Sequence, residues 1–185
     1  MKLHTQTPEN IEQVREEFDR CNYQLNTLFD FGKDIFGIMN IELILKNSLL
    51  FTLGNFGVVE GFIGLFDSFT KKSTQFVSKG FPYSDIVALQ KSAEKAMLKN
   101  NFKDSAAMNV RCGDLELLPD SLHCVLPFKV DNHNVGMLGL GSKLVSGRYT
   151  ADEEKLLVTI VNNMVVALQN ARSFEEIKNL NQDLL

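Results

Sequence analysis

The chain has 185 residues, of which 44% are hydrophobic, so it is long enough to bury one sizeable core. Its net charge of -4 argues against a nucleic-acid groove, because neutralising phosphates requires clustered Lys and Arg. The N-terminal segment lacks the apolar stretch of a signal peptide, and charged residues interrupt the most apolar window, 41–66. We therefore expect a soluble, cytoplasmic domain that neither inserts into a membrane nor binds nucleic acid.

The first predicted element is a long helix with Thr7 as its cap and Pro8 at its first position. Its apolar residues alternate spacings of three and four for more than three heptads and end near Gly37, which is typical of a coiled-coil seam. The seam comprises Ile11, Val14, Phe18, Cys21, Leu25 and Leu28, followed by Gly32 and Ile35.

Asn40 is the predicted cap of a second helix over 41–53, which Gly54 and Gly57 would close. This helix is apolar nearly all round, so we expect it in the core. A first hairpin then follows, with "VVEGFIGLFDSF" and "TQFVSKGF" as its strands and a turn at 70–73.

A third helix is predicted over 85–99, with Ser84 as its cap. Residues 100–121 are polar and irregular, as expected of a long connection that covers a pocket. A second hairpin turns at 131–134, and a capping box of Thr150 and Glu153 starts a long terminal helix. Two hairpins without a βαβ rhythm predict an α+β domain with an antiparallel sheet.

The stretch "GMLGLGSK", residues 136–143, is similar to a phosphate-binding P-loop whose last two residues are exchanged. In a P-loop the helix begins at once, so that its N-terminal amides meet the phosphate. Here the predicted cap, Thr150, lies seven residues beyond Lys143. We therefore assign the glycines to a strand, where glycine marks a bulge or a close approach, and we do not expect an NTPase.

The three cysteines, Cys21, Cys112 and Cys124, are widely spaced and form no C-x-x-C pair. This pattern indicates a reducing compartment rather than a disulfide framework. His123 stands beside Cys124, but neighbours on a strand point to opposite faces and would not easily share one metal ion. We predict neither a metal site nor a cofactor.

Two stretches resemble a GAF domain. "VLPFKVDNHNVGMLGLGSKLVSGRYTADEEKLLVTIVNNMVVALQNARSFEE" is similar to its C-terminal half, and "LILKNSLLFTLGNFGVVEGFIGLFD" to its second helix and first strand. The resemblance covers roughly residues 24–175 and implies a central antiparallel sheet of five or six strands, with helices packed around it and long N- and C-terminal helices. Residues 1–23 would form a dimerising helical extension, and 176–185 the start of a signalling helix or linker.

The resemblance implies a non-catalytic sensory or regulatory module of a bacterial signalling protein. Such modules bind small molecules between the sheet and its covering segments, or relay a partner's signal to an effector such as a kinase, cyclase, phosphatase or transcription activator. The composition of the chain, with 14 Phe and no Trp, favours a small apolar ligand or none. The candidate pocket residues are Phe66, Phe76, Ser78, His123 and Ser142.

Two alternatives come from subclasses of the same family. Cyclic-nucleotide-binding members carry Asn-Lys, Phe and Asp-Glu, whereas this chain has Ser142-Lys143, Tyr149 and Asp152-Glu153 with the spacing one residue short. Members that reduce free methionine sulfoxide use paired cysteines, for which Cys112 and Cys124 offer no compelling context. We favour helix-dipole complementation for the acidic pair.

We expect a parallel homodimer held by the terminal helices. Phe174 and Ile177 continue a three-four pattern beyond the domain, with Asn181 as a register-setting polar residue and Leu184 after it. Cys21 occupies a d-type position, so two copies of it would face each other across the dimer axis.

Overall fold

A computed structural model describes residues 8–99, 117–145 and 149–183. These ranges contain four helices and four strands in the order that the sequence predicts. In chain order they are α1 (Pro8–Ile35), α2 (Ile41–Phe56), β1 (Gly61–Asp67), β2 (Ser73–Lys79), α3 (Tyr83–Lys99), β3 (Leu122–Lys129), β4 (Asn134–Gly141) and α4 (Ala151–Asp183).

The four strands form one antiparallel sheet in the order β2-β1-β4-β3. The α+β class is therefore confirmed, but the described residues hold four strands instead of the expected five or six. Val58 and Lys143 extend the sheet by a single bridge, which is too short to count as a strand. Most of the predicted connection over the pocket, 100–116, lies outside the described residues.

Local chemistry accounts for the helix ends. The Asn40 side chain accepts a hydrogen bond of 2.9 Å from the Leu43 amide, as its predicted role as a cap requires. Helix α2 continues three residues beyond the predicted end at Leu53, because Gly54 stays helical and Gly57 takes the left-handed conformation, with φ 59°. Helix α3 begins at Tyr83, one residue before the predicted cap.

The capping box of α4 is confirmed in both directions. The Thr150 amide donates to Glu153 Oε2 at 2.8 Å, and the Glu153 amide donates to Thr150 Oγ1 at 3.3 Å.

The sheet separates two apolar clusters. One face packs against α2 and α4, on which α1 packs in turn, and its larger cluster includes Ile35, Leu45, Leu65, Leu126 and Leu168. The other face packs against α3 and is called the α3 face below. Its cluster is Phe62, Phe66, Leu89, Ala93, Ala96, Met97, Leu118, Leu122, Val125, Val135 and Met137. The larger cluster is the main core.

Within the described ranges, no helix combines the length and the apolar composition needed to cross a bilayer.

Candidate functional site

The α3 face of the sheet carries the aromatic residues that the sequence places near a pocket. Phe62 and Phe66 lie on the same face of β1, because side chains alternate between the faces of a strand, and both are completely buried. Phe76 of β2 packs beside them. The rings of Phe62 and Phe76 are stacked, with centroids 5.1 Å apart and an interplanar angle of 18°. Helix α3 closes this layer with Leu89 and Met97. These side chains fill the space between the sheet and α3, so the layer they form is packed core.

Glycines in the central strands make room for these rings. A Cβ on Gly139 would lie 2.8 Å from Cδ1 and 2.9 Å from Cζ of Phe62, well inside the normal carbon–carbon separation. A Cβ on Gly136 would overlap the Phe128 ring on the opposite face. Two glycines of "GMLGLGSK", Gly136 and Gly139, therefore accept phenylalanine rings within β4, as the assignment to a strand predicted, and a phosphate-binding turn does not form there.

The register of β1 and β2 brings two further candidates to the same face. Phe76 pairs with Gly64, and Ser78 pairs with Phe62, so both side chains share the α3 face with Phe62. Beside this edge strand lies an open groove of about 370 Å³. Its lining is Phe76, Val77, Ser78 and Lys79 of β2, Glu42, Lys46, Leu49 and Leu50 of α2, and Ile86 of α3.

The start of α4 is held by a polar cluster. Lys143 Nζ lies 2.8 Å from Glu153 Oε1, and the Lys143 side chain is only 9% exposed. The Tyr149 hydroxyl donates to the Gly141 carbonyl at 2.9 Å, and Arg20 of α1 lies 3.4 Å from Asp152 Oδ2. Partial burial acts to raise the pKa of Glu153, but hydrogen bonds from Lys143 and Thr150 outweigh it and leave that pKa lowered.

A second polar cluster holds α4 where it leaves the sheet. Arg172 Nη1 lies 2.8 Å from Asp131 Oδ2 in the turn between β3 and β4, and the Gln169 side chain donates to the Val130 carbonyl. Ala171 is the last buried residue of the helix. Helix α4 is thus attached to both ends of the β3–β4 hairpin, at Lys143 and at Asp131.

Comparison with solved structures identifies the fold. The GAF domain of a protein assigned as a sensor histidine kinase in Pseudomonas syringae pv. tomato matches with a TM-score of 0.58 and 17% identity, over 90% of this chain and 98% of that one. The GAF domain from an Acinetobacter phosphoenolpyruvate-protein phosphotransferase matches at 0.55 and 14%, over 82% and 96%. The GAF domain/HD domain protein from Geobacter sulfurreducens matches at 0.52 and 15%, over 75% and 97%. The chain has the GAF-domain fold.

No protein-family model matches the sequence, and no curated protein matches it either. The GAF fold is therefore shared with these structures at low sequence identity, and the function of this chain has to be inferred from its own residues.

The five predicted pocket residues divide into two groups in this GAF fold. Phe66, Phe76 and Ser78 lie on the α3 face. His123 is the extra residue of a bulge, because Leu122 pairs with Gly141 while Cys124 already pairs with Leu140, and its side chain is exposed. Ser142 is also exposed, just beyond β4.

The residues that align with the cyclic-nucleotide pattern stabilise the GAF fold itself. Lys143 forms a salt bridge with Glu153, and Asp152 forms one with Arg20. Cys124 is buried in the main core, on the opposite side of the sheet from the α3 face, and Cys112 lies outside the described residues. In the part of the chain that the structure describes, no group of three His, Cys, Asp or Glu residues could hold a metal ion.

The predicted seam of α1 changes character along the helix. Ile11, Val14, Phe18 and Leu25 are between 58% and 64% exposed, and Cys21 is exposed as well. Leu28 is half-buried against the core, and Ile35 is completely buried in it. The second part of the stripe therefore packs on its own domain, whereas the first part contacts solvent. At the other end of the chain, Phe174, Ile177 and Leu180 are 52% to 63% exposed, and Leu184 lies outside the described residues.

Sequence reasoning missed three exposed aromatic residues, Tyr23 and Phe29 on α1 and Phe36 directly after it. Phe29 is 72% exposed and Phe36 43% exposed. Phe29 follows Leu25 by four residues, so it extends the exposed apolar side of α1 beyond the point where the predicted seam turns into the core, and Phe36 lies directly after the end of the helix. That spacing was the available signal.

Proposed function

We propose that this chain is a non-catalytic sensory or regulatory GAF module of a bacterial signal-transduction protein. It acts in the cytoplasm, dimerises through its terminal helices and relays a pocket or partner signal to an effector domain. The observation that carries this proposal is the pair of exposed apolar stripes on α1 and α4, in a chain that has the GAF fold.

The directions of α1 and α4 support a relay. Arg20 contacts the first turn of α4 at Asp152, and only later residues of α1, Phe31 and Ile35, enter the core that α4 shares. Residues 11–19 of α1, before Arg20, are exposed and extend about 14 Å at 1.5 Å per residue. Helix α4 leaves the sheet at its opposite end, beyond Arg172. One helix therefore enters at one end of the domain, and the other leaves at the far end.

This geometry supports the proposed division of the chain. Residues 24–175 form the GAF domain, 1–23 the dimerising extension, and 176–185 the start of a linker to an effector. Each boundary falls inside a continuous helix, α1 or α4, so that a displacement of the domain is transmitted along a rigid rod. The solved GAF domains with the same fold come from proteins described as a sensor histidine kinase, a phosphotransferase and a GAF/HD protein.

The α3 face and the groove beside β2 form the proposed input site. Phe76 and Ser78 supply the groove with an apolar wall and one hydroxyl, which suits a small apolar metabolite or an apolar segment of a partner, whereas Phe66 is buried in the layer beside them. A ligand that also contacts His123 and Ser142 would have to extend across the sheet, because β2 and β3 are its two edge strands and Ser142 follows β4. Native mass spectrometry of the purified protein, before and after denaturation, tests whether a small molecule copurifies.

The dimer is tested by sedimentation of the full chain at tens of micromolar. We expect a dimer, and we expect Phe18→Glu to weaken it by at least about 100-fold, because two charges would enter an apolar contact and each tenfold corresponds to about 1.4 kcal/mol. Phe69→Glu is the matched control, since Phe69 is 75% exposed on the β1–β2 turn. Cys21 should cross-link under mild oxidation, and Cys21→Ser should remove that product at unchanged dimer mass. A monomeric wild-type protein would overturn the proposed dimer.

A further inference from the structure

The free edge of the sheet at β2 is capped over its first part and open over the rest. Among the described residues, β2 has a neighbouring strand on one side only. At its beginning, the Ser73 amide donates a hydrogen bond of 3.0 Å to Glu94 Oε1 of α3, which protects that end of the edge. No side chain of the described residues caps the backbone of 76–79 in this way, and these four residues line the open groove of about 370 Å³.

The hydrogen bonds of β1 show which backbone groups of β2 point outward. The Asp67 amide donates to the Lys72 carbonyl at 2.9 Å, so odd-numbered residues of β1 bond towards the β2 side. Ile63 is one of them and pairs with Val77, so Val77 bonds towards β1. In an antiparallel ladder the direction alternates along a strand. The amides and carbonyls of the two neighbours of Val77 therefore point to the free edge.

The groove provides an apolar wall on each side of this edge. The outward groups belong to Phe76 and Ser78, whose side chains are half-buried on the α3 face. Ile86 of α3 lines the groove on that side, and Leu50 of α2, which is 54% exposed, lines it on the side of Val77. Successive side chains of an extended segment point to opposite faces, so such a segment would contact both walls. An open strand edge beside apolar pockets is the arrangement by which extended peptides bind as an added strand.

We propose that β2, at 76–79, binds an extended segment of a partner protein as an additional antiparallel strand. This inference rests on the proposed function, because it names the occupant of the groove in the input site. Main-chain hydrogen bonds to Phe76 and Ser78 would supply affinity, and the two walls would select the side chains. A small metabolite that covered the edge would instead leave the outward amides and carbonyls without partners, which costs free energy.

Charge in the groove selects an acidic segment. Lys46 of α2 is already paired with Glu42, with 2.6 Å between Nζ and Oε1. Lys79 is exposed at the end of β2 and forms no ion pair with any of the described residues. It lies on the same face of β2 as Val77, so a carboxylate that faces Lys79 would complete the pairing of charges in the groove.

The register fixes the order of side chains in the partner segment. Residues directly opposite each other share a face of the sheet, so the residues that face Val77 and Phe76 enter the two walls and should be apolar. The residue that faces Ser78 should be small or polar. From its N-terminus, an antiparallel segment therefore carries an acidic residue, a small or polar residue and two apolar residues.

Selection from linear eight-residue peptides displayed on phage tests the inference, with the purified full chain as bait. We expect the selected sequences to carry this order, and a synthetic copy to bind in fluorescence polarisation. Lys79→Glu should weaken that binding about three- to tenfold, and a peptide with lysine in place of the acidic residue should restore it. Lys95→Glu, at an exposed position of α3, is the matched control and should have no effect.

Methylation of single peptide nitrogens distinguishes strand addition from other ways of filling the groove. N-methylation of the residue that faces Phe76 or Ser78 removes a hydrogen bond to β2 and should weaken binding at least about tenfold. N-methylation of the residue that faces Val77 is the control, because its amide points away from β2, and it should weaken binding less than about threefold. Equal effects at the two kinds of position would overturn strand addition.

The other occupants of the groove give different results. If a selected peptide lowers the mass of the protein in sedimentation, a second copy occupies the edge and the inference is wrong. If no peptide binds but native mass spectrometry finds a small apolar molecule, strand addition is wrong and the proposed sensory function stands. If neither binds, the input site of the proposed function is wrong as well.

Discussion

Replacing Gly139 by Ala tests whether the glycines of β4 serve as slots for aromatic rings. The new Cβ would lie 2.8 Å and 2.9 Å from two atoms of the Phe62 ring, where carbon atoms prefer about 3.5 to 4.0 Å. Phe62 is completely buried and stacked on Phe76, so the ring cannot move into solvent. We expect a loss of about 2 to 3 kcal/mol in the free energy of unfolding, at the upper end of the cost of overpacking.

Urea unfolding, monitored by circular dichroism, measures this loss as a lower midpoint concentration of urea at an unchanged m-value. For a chain of this size, the midpoint temperature of thermal unfolding should fall by about 4 to 10 °C. Gly54→Ala is the control, because Gly54 lies inside α2 and no heavy atom lies within 4 Å of a Cβ placed there. That substitution should stabilise the protein by about 0.5 to 1 kcal/mol, since alanine restricts the unfolded chain and favours the helix.

A smaller partner should rescue the clash. Phe62→Leu alone should cost about 1 to 2 kcal/mol through lost packing, but in the Gly139→Ala protein it should restore stability, which a double-mutant cycle reports as a coupling energy. The reasoning would be refuted if Gly139→Ala changed the unfolding free energy by less than about 0.5 kcal/mol, or if Phe62→Leu added its full cost in both backgrounds.

Three further predictions concern the polar clusters of α4 and the ligand. Because the pKa of Glu153 is lowered, its contribution to stability is present above the ordinary value of 4.5 and is lost as the pH falls through the folded-state pKa. In Glu153→Gln, the midpoint urea concentration of unfolding should therefore depend less on pH between pH 3 and 6 than in the wild-type protein. Asp131→Asn should speed amide hydrogen exchange in α4 beyond Arg172 while costing about 1 kcal/mol or less in global stability, because the pair is partly exposed. Cyclic AMP and cyclic GMP should give no heat in isothermal titration at millimolar concentration, since Lys143 and Glu153 bond each other; a dissociation constant in the low micromolar range would contradict this.

The sequence-based predictions are accurate for features that depend on residues close together in the chain. Asn40, Thr150 and Glu153 act on amides within three residues, so their helix starts could be predicted from local spacing. The end of α2 was misplaced because Gly54 and Gly57 are both compatible with a stop, and only the backbone shows which one is left-handed. The described residues hold fewer strands than expected, because the resemblance to a family, rather than the residues, supplied the number.

The amino-acid sequence determined the element order, the α+β class and the apolar stripe of α1, because these depend on periodicity and on contacts between near neighbours. The tertiary structure decided which side chains share a surface. Strand register places Phe76 and Ser78 opposite Gly64 and Phe62, and a bulge exposes His123. Residue spacing in the sequence does not specify the register or the bulge, because a shift of one residue moves every side chain to the other face. It also decided where the stripe of α1 turns from solvent into the core, since that depends on where α4 begins.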